Sequence, residues 1–281
     1  MSVWYWICDA LPIEMLHWVF MKNALLALIL MAPLFGLMST MIVTGRMSFF
    51  SDALGHSAFT GIAIGAICGL SAPTWAAVLF SVCFALIFSY VRSRSNQAAD
   101  TLIGVFSSTA VALGIFVATL GGGSFTKYNK YLIGDILSVT PGEIGMLALV
   151  LLAVLVFWCL YANRLTLTAI HPQLASSRGV SVGRAQTLFT IGIAVVVTLS
   201  ISCVGLLILN SLMVLPSASA RNISRNLRQY HGFSVAFALI AGIGGLTLTF
   251  GKVTITSIAC ALILGILANV MLSGADKKKT Q

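Results

Sequence analysis

Asp52 and His56 lie four residues apart in an otherwise apolar stretch, Ser51-Asp52-Ala53-Leu54-Gly55-His56-Ser57-Ala58-Phe59-Thr60-Gly61. On a helix, an i, i+4 pair shares one face. A carboxylate beside an imidazole is half of a plausible site for a first-row transition metal. Ionisable side chains at membrane depth are costly, so each is a functional candidate by default. The structural alternative is an acid–imidazole hydrogen bond that pins neighbouring helices. Other chemistry is sparse. His17 and His231 pair by spacing with no acid, and the many Ser and Thr residues have no sequence-near base. No catalytic residue is assigned, and an intramembrane enzyme is rejected. Cys8, Cys68, Cys83, Cys159, Cys203 and Cys260 are too scattered for a zinc knuckle or a CxxC redox pair. Five of them fall in apolar spans, where a cysteine acts as a small hydrophobe.

The elements that position Asp52 and His56 must be membrane helices. Hydrophobic residues make up 59% of the chain and charged residues 8%, whereas a soluble domain carries about 25% charged residues. Mean hydropathy is +1.02. The expected fold is all-α, a polytopic transmembrane helical bundle of about eight to nine spans, each of about 20 apolar residues. The apolar stretches fall near residues 19–43, 52–70, 75–91, 101–120, 144–162, 187–203, 204–220, 232–250 and 253–272. The short pair within 187–220 reads equally as two spans or as one broken helix. Residues 1–18 carry Asp9 and Glu14 and lack an early basic residue, which argues against a signal peptide. With Trp4, Tyr5, Trp6 and Trp18 they read as an interfacial lead-in. Residues 19–272 then form the transmembrane domain, and 273–281 form a basic tail.

Charge orients the spans. With alternating crossings, Arg46, Arg92, Arg94, the arginines at 164–184 and 221–228, and the lysines at 277–279 all fall on one side. Only Lys127, Lys130 and Lys252 fall in loops on the other, with Lys22 near that face. The positive-inside rule makes the arginine side cytoplasmic. The N-terminus is then outside and the C-terminus inside. No nucleic-acid partner is expected.

The longest polar segment, about 163–186, contains His171-Pro172-Gln173-Leu174-Ala175-Ser176-Ser177-Arg178-Gly179-Val180. Pro172 suits the first turn of a helix, and Gly179 suits the left-handed position that ends one. A short helix of about two turns fits between them. It either docks on a soluble subunit or is a plain connector. No Walker-type Gly-Lys-Ser/Thr loop occurs in the chain, so any ATP-hydrolysing motor must be another polypeptide.

Several segments in order carry a resemblance. They are Gly36-Leu37-Met38-Ser39-Thr40, the Ser51 to Ala58 stretch, Asp100-Thr101-Leu102-Ile103-Gly104, Tyr131-Leu132-Ile133-Gly134, and His171-Pro172-Gln173-Leu174-Ala175 with Gly179. The last is Val204-Gly205-Leu206-Leu207 continuing to Leu215-Pro216-Ser217-Ala218-Ser219-Ala220. On these residues the chain resembles the ABC-3 type membrane permeases of bacterial ATP-binding-cassette importers for zinc, manganese and iron, from about Met21 to the last span. The resemblance implies a type II ABC importer-like, multi-pass subunit of the bacterial cytoplasmic (inner) membrane. It implies a homodimer with a second copy of this chain, cytoplasmic ATP-binding subunits that bind the ATP, and an extracytoplasmic metal-binding protein. No cofactor is expected in this chain, and the divalent metal ion is the cargo. Asp52 and His56 would contact the passing ion. His171, Pro172, Gln173, Leu174, Ala175, Arg178 and Gly179 would couple it to the ATPase. The chain departs from the family where Asp-Pro-Glu is usual, having His171-Pro172-Gln173 instead. It also lacks the acidic-proline turn usual in the last hairpin, at Phe250-Gly251-Lys252-Val253-Thr254. The competing readings are an ion-gradient-driven secondary transporter, with Asp52 as a proton or sodium site, and an iron-chelate permease.

Overall fold

The computed structural model describes residues 2–9, 14–70, 73–95, 97–120, 134 and 136–250. They form α1 (Ser2–Asp9), α2 (Val19–Thr44), α3 (Phe50–Ile67), α4 (Pro73–Arg94), α5 (Ala99–Leu120), α6 (Pro141–Ile170), α7 (Pro172–Ser177), α8 (Val182–Val204), α9 (Leu206–Ile223) and α10 (Leu227–Phe250). Two 3-10 turns, Glu14–His17 and Ile136–Ser138, complete the described elements, and no strand occurs among them. The expected span at 253–272, the tail at 273–281, Lys127, Lys130, Lys252 and Tyr131-Leu132-Ile133 lie outside the described residues.

Among the described residues, six helices are long and apolar enough to cross a membrane: α2, α4, α5, α6, α8 and α10 through Thr247. The expectation of eight to nine spans exceeds that number. The expected spans not among these six are α3, α9 and 253–272, the last outside the described residues. Helix α3 carries Asp52, His56 and three glycines, while α9 carries Asn210, Ser217, Ser219 and Arg221. These two helices bear the polar groups described below.

The chain divides into two compact units, residues 1–40, 136–152 and 211–281, and residues 41–135 and 153–210. In the first, Trp4 Nε1 donates to the Lys22 carbonyl at 2.9 Å, and Tyr5 donates to Asn23 Oδ1 at 2.7 Å. These bonds, with the Lys22–Asp9 ion pair, tie α1 to the start of α2. Helices α2 and α10 also pack closely, with Ser234 Oγ donating to the Gly36 carbonyl at 2.7 Å. His231 Nδ1 lies 2.9 Å from Thr40 Oγ1, a structural contact for this histidine.

In the second unit α3 packs against α4, α5 and α8. Thirteen of its eighteen residues are buried. Small residues permit this enclosure. A Cβ placed on Gly61 would lie 2.5 Å from Ala77 Cα, closer than backbone atoms tolerate, so glycine there sets the α3–α4 spacing. Thr60 Oγ1 donates to the Ala110 carbonyl of α5 at 3.0 Å, and Phe50 packs at a tilt against Phe88 with ring centroids 4.5 Å apart. Exposed Leu79 and Ile87 on α4 and Val105 and Phe116 on α5 form the outward apolar surface, as side chains facing lipid tails would.

The expected polar loop is largely helical. Helix α6 runs on through Asn163 and Arg164 to Ile170, since no residue breaks it before Pro172, which disfavours helical geometry at His171. Helix α7 then has Pro172 in its first turn. Gly179 adopts φ +73°, and the Val180 amide reaches back to the Ala175 carbonyl at 3.0 Å, closing the helix as a left-handed C-terminal residue does.

Candidate ion-binding site

Asp52 sits in the first turn of α3, where the helix dipole favours a negative charge. His56 follows one turn later on the same face. Its Nε2 stands 3.7 Å from Asp52 Oδ2, beyond a hydrogen bond. The acid–imidazole hydrogen bond considered as the structural alternative is therefore not made. An ion about 2.1 Å from each of two tetrahedrally disposed ligands holds them about 3.4 Å apart, close to the observed separation. Asp52 is 40% exposed and His56 27%, so both can receive an ion from outside the chain.

What holds the carboxylate is a residue far away in sequence. Asn210, on the second turn of α9, donates from Nδ2 to Asp52 Oδ1 at 2.7 Å. Ser107 Oγ on α5 stands 3.5 Å from Asp52 Oδ2, at the outer limit of a hydrogen bond. Backbone features bring Asn210 there. Helix α8 ends at Val204, and α9 begins at Leu206, so Gly205 alone separates them, with φ +80° and ψ +161°. That conformation is open to glycine and strained for other residues. Leu206 then lies against Gly55, one residue before His56. A Cβ on Gly55 would fall 1.8 Å from Leu206 Cδ1.

The amide oxygen of Asn210 is buried and accepts no hydrogen bond from the described residues. An unsatisfied buried acceptor costs about 1–3 kcal/mol. Sequence reasoning missed both Asn210 and Ser107. The signal for Asn210 was present, since it is a polar amide inside an apolar stretch between two quoted motif segments. Among the described residues no group of three or more His, Cys, Asp or Glu converges as a metal cage.

The coupling candidates lie on and around α7. On α7, Ala175 is fully buried, whereas Leu174 is 44% exposed, and His171, Pro172, Gln173, Arg178 and Gly179 are exposed as well. Ala175 thus seats the helix on its own chain, and its neighbours face outward. Beside them Arg164, Arg178 and Arg184 line an open cavity of about 360 Å³ with Tyr161 and Leu188. None of these arginines forms an ion pair with a described residue.

Comparison with known proteins places this arrangement. The family model described as the ABC 3 transport family matches residues 17–274. The chain belongs to the ABC 3 transport family. This ABC 3 member is 28% identical over 230 residues to the high-affinity zinc uptake system membrane protein ZnuB of Haemophilus influenzae, covering 80% of this chain and 86% of that one. It is 29% identical over 227 residues to the manganese import system permease protein ScaB of Streptococcus parasanguinis, covering 81% and 80%. Its fold matches PsaBC from Streptococcus pneumoniae, solved in complex with a Fab. The TM-score is 0.77 at 24% identity over 97% of this chain and 95% of that one.

Proposed function

We propose that this ABC 3 permease is the membrane-spanning subunit of an ATP-driven importer for divalent transition-metal ions, and that Asp52 and His56 contact the ion in transit. The observation that carries the reading is the 3.7 Å spacing of a carboxylate oxygen and an imidazole nitrogen. It is too long for a hydrogen bond and suited to bridging by one ion. Zinc- and manganese-uptake relatives support the cargo class. Two ligand groups per chain form an open site, which favours release as well as entry. A second copy of the chain would complete the pathway, and an extracytoplasmic protein would deliver the ion. The bundle would cross the membrane eight or nine times, with α3 and α9 counted among its spans.

ATP hydrolysis belongs to separate subunits in this reading, docked at α7. The three arginines lining the neighbouring cavity, which form no ion pair among the described residues, suit an acidic partner surface. Metal accumulation should then stop on ATP depletion and survive collapse of the ion gradients by an ionophore. The reverse pattern would favour the gradient-driven secondary transporter.

The arginine-bearing ends face the cytoplasm in this account, with the N-terminus outside. In a background free of native cysteines, Arg178→Cys and Arg225→Cys should resist an impermeant thiol reagent in sealed cells and react after permeabilisation. Labelling of either in sealed cells would reverse the topology.

A further inference from the structure

We infer that the Ser107 hydroxyl is a third group that contacts the passing ion, together with Asp52 Oδ2 and His56 Nε2. The inference rests on the functional reading above and adds a residue of α5 to the two on α3.

Two groups flank one oxygen of the Asp52 carboxylate. Asn210 occupies the other oxygen, Oδ1, at 2.7 Å. His56 Nε2 stands 3.7 Å from Oδ2, and Ser107 Oγ stands 3.5 Å from that same atom. An O–H···O bond is usually about 2.7–2.8 Å long, so neither contact is a firm hydrogen bond. Both are close to the ligand–ligand separation of about 3.4 Å around one tetrahedral ion.

Helix packing turns the three groups the same way. Asp52, His56 and Thr60 follow one another at i, i+4 and i+8, which makes a single stripe along α3. Both ends of that stripe face α5. Asp52 meets Ser107 at one end. At the other, Thr60 donates to the Ala110 carbonyl at 3.0 Å, and a Cβ on Gly114 would fall 2.8 Å from Thr60 Oγ1. The helices therefore run the same way past each other. His56, midway along the stripe, lies opposite the stretch of α5 that begins at Ser107.

Ser107 also differs from its neighbours. A serine or threonine in a helix commonly returns its hydroxyl to its own backbone. Thr109 and Thr119 of α5 do this, donating to the Val105 and Phe116 carbonyls at 2.8 and 2.7 Å. Among the described residues Ser107 makes no such bond, and its oxygen is turned to Asp52 instead. It is half-buried, as are its two companions. A hydroxyl oxygen has lone pairs and no charge, so it can replace one water of the ion's shell. The ion is then held by one more contact and still leaves.

The test uses the complete transporter in cells, in a background free of native cysteines, with the chain quantified in the membrane. Ser107→Cys puts a thiol at the site, and cadmium(II), a soft ion, seeks thiolates. Cadmium should block uptake of radioactive zinc or manganese by this variant at a concentration at least about tenfold below that needed for the cysteine-free parent. Ser108→Cys, at an exposed neighbouring position, should keep the parental sensitivity. Ser107→Ala should raise the KM for metal by at least about fivefold with the maximal rate retained, and Ser107→Thr, which keeps the hydroxyl, should restore it. Cadmium sensitivity no greater than that of Ser108→Cys, or a parental KM in Ser107→Ala, would overturn the inference. If the cysteine variant fails to accumulate, the KM of the alanine variant decides. An Asp52→Ala control separates the two claims. Inactive Asp52→Ala beside unchanged behaviour at Ser107 sinks only the third contact, whereas active Asp52→Ala sinks the ion site itself.

Discussion

Asp52→Ala and His56→Ala are each expected to reduce metal uptake to background while the variant chain still reaches the membrane. Losing even an outer partner of a metal ligand costs about 10–100-fold in affinity or activity, and loss of a ligand should exceed that. The two side chains are partly exposed, and neither fills a packed core position, so their removal leaves the Phe50–Phe88 contact and the Gly61 crossing intact. Alanine at 52 does strip the Asn210 amide of its acceptor. Asp52→Asn addresses this, because it keeps an oxygen acceptor and the side-chain shape while removing the charge. It should be as inactive as the alanine variant if the carboxylate serves the ion, and near parental if it only anchors α9. Near-normal uptake by both alanine variants would remove Asp52 and His56 from the pathway.

The second large effect is expected at α7. Leu174→Glu places a carboxylate on an exposed position and leaves the buried Ala175 in place. Against a separate ATPase the new charge would be desolvated, and it would compete with the partner for Arg178, one turn further along. It would also repel the acidic surface that the nearby arginine-lined cavity suits. Each 1.4 kcal/mol is tenfold in affinity, so pull-down of the ATPase or metal-stimulated hydrolysis should fall by at least about tenfold with insertion unchanged. Ala175→Glu should act differently, unseating α7 from its own chain. If Leu174→Glu assembles, hydrolyses and transports like the parent, α7 is a connector.

Local patterns made part of this legible from sequence. The i, i+4 spacing of Asp52 and His56 survives folding because one helix carries both. Pro172 and Gly179 bracket a short helix because each acts through its own backbone geometry. The breadth of that region was not legible. Asn163 and Arg164 are polar enough to read as loop, yet helix α6 continues through them, since polarity does not break a helix where proline does. Burial of Ala175 depends on tertiary packing that its neighbours do not encode. Asn210 shows the limit most clearly. It lies 158 residues from Asp52, and its approach depends on the turn at Gly205 and the missing side chain of Gly55, two small residues that read alone as ordinary helix packing.

The central claim is that one ion sits between Asp52 and His56. Anomalous scattering at the metal edge from the complete transporter, prepared with manganese or zinc, tests it most directly. The account predicts an anomalous peak within about 2.5 Å of both the Asp52 carboxylate and the His56 ring. A well-occupied metal elsewhere in the membrane domain, with no density between these two side chains, would contradict it.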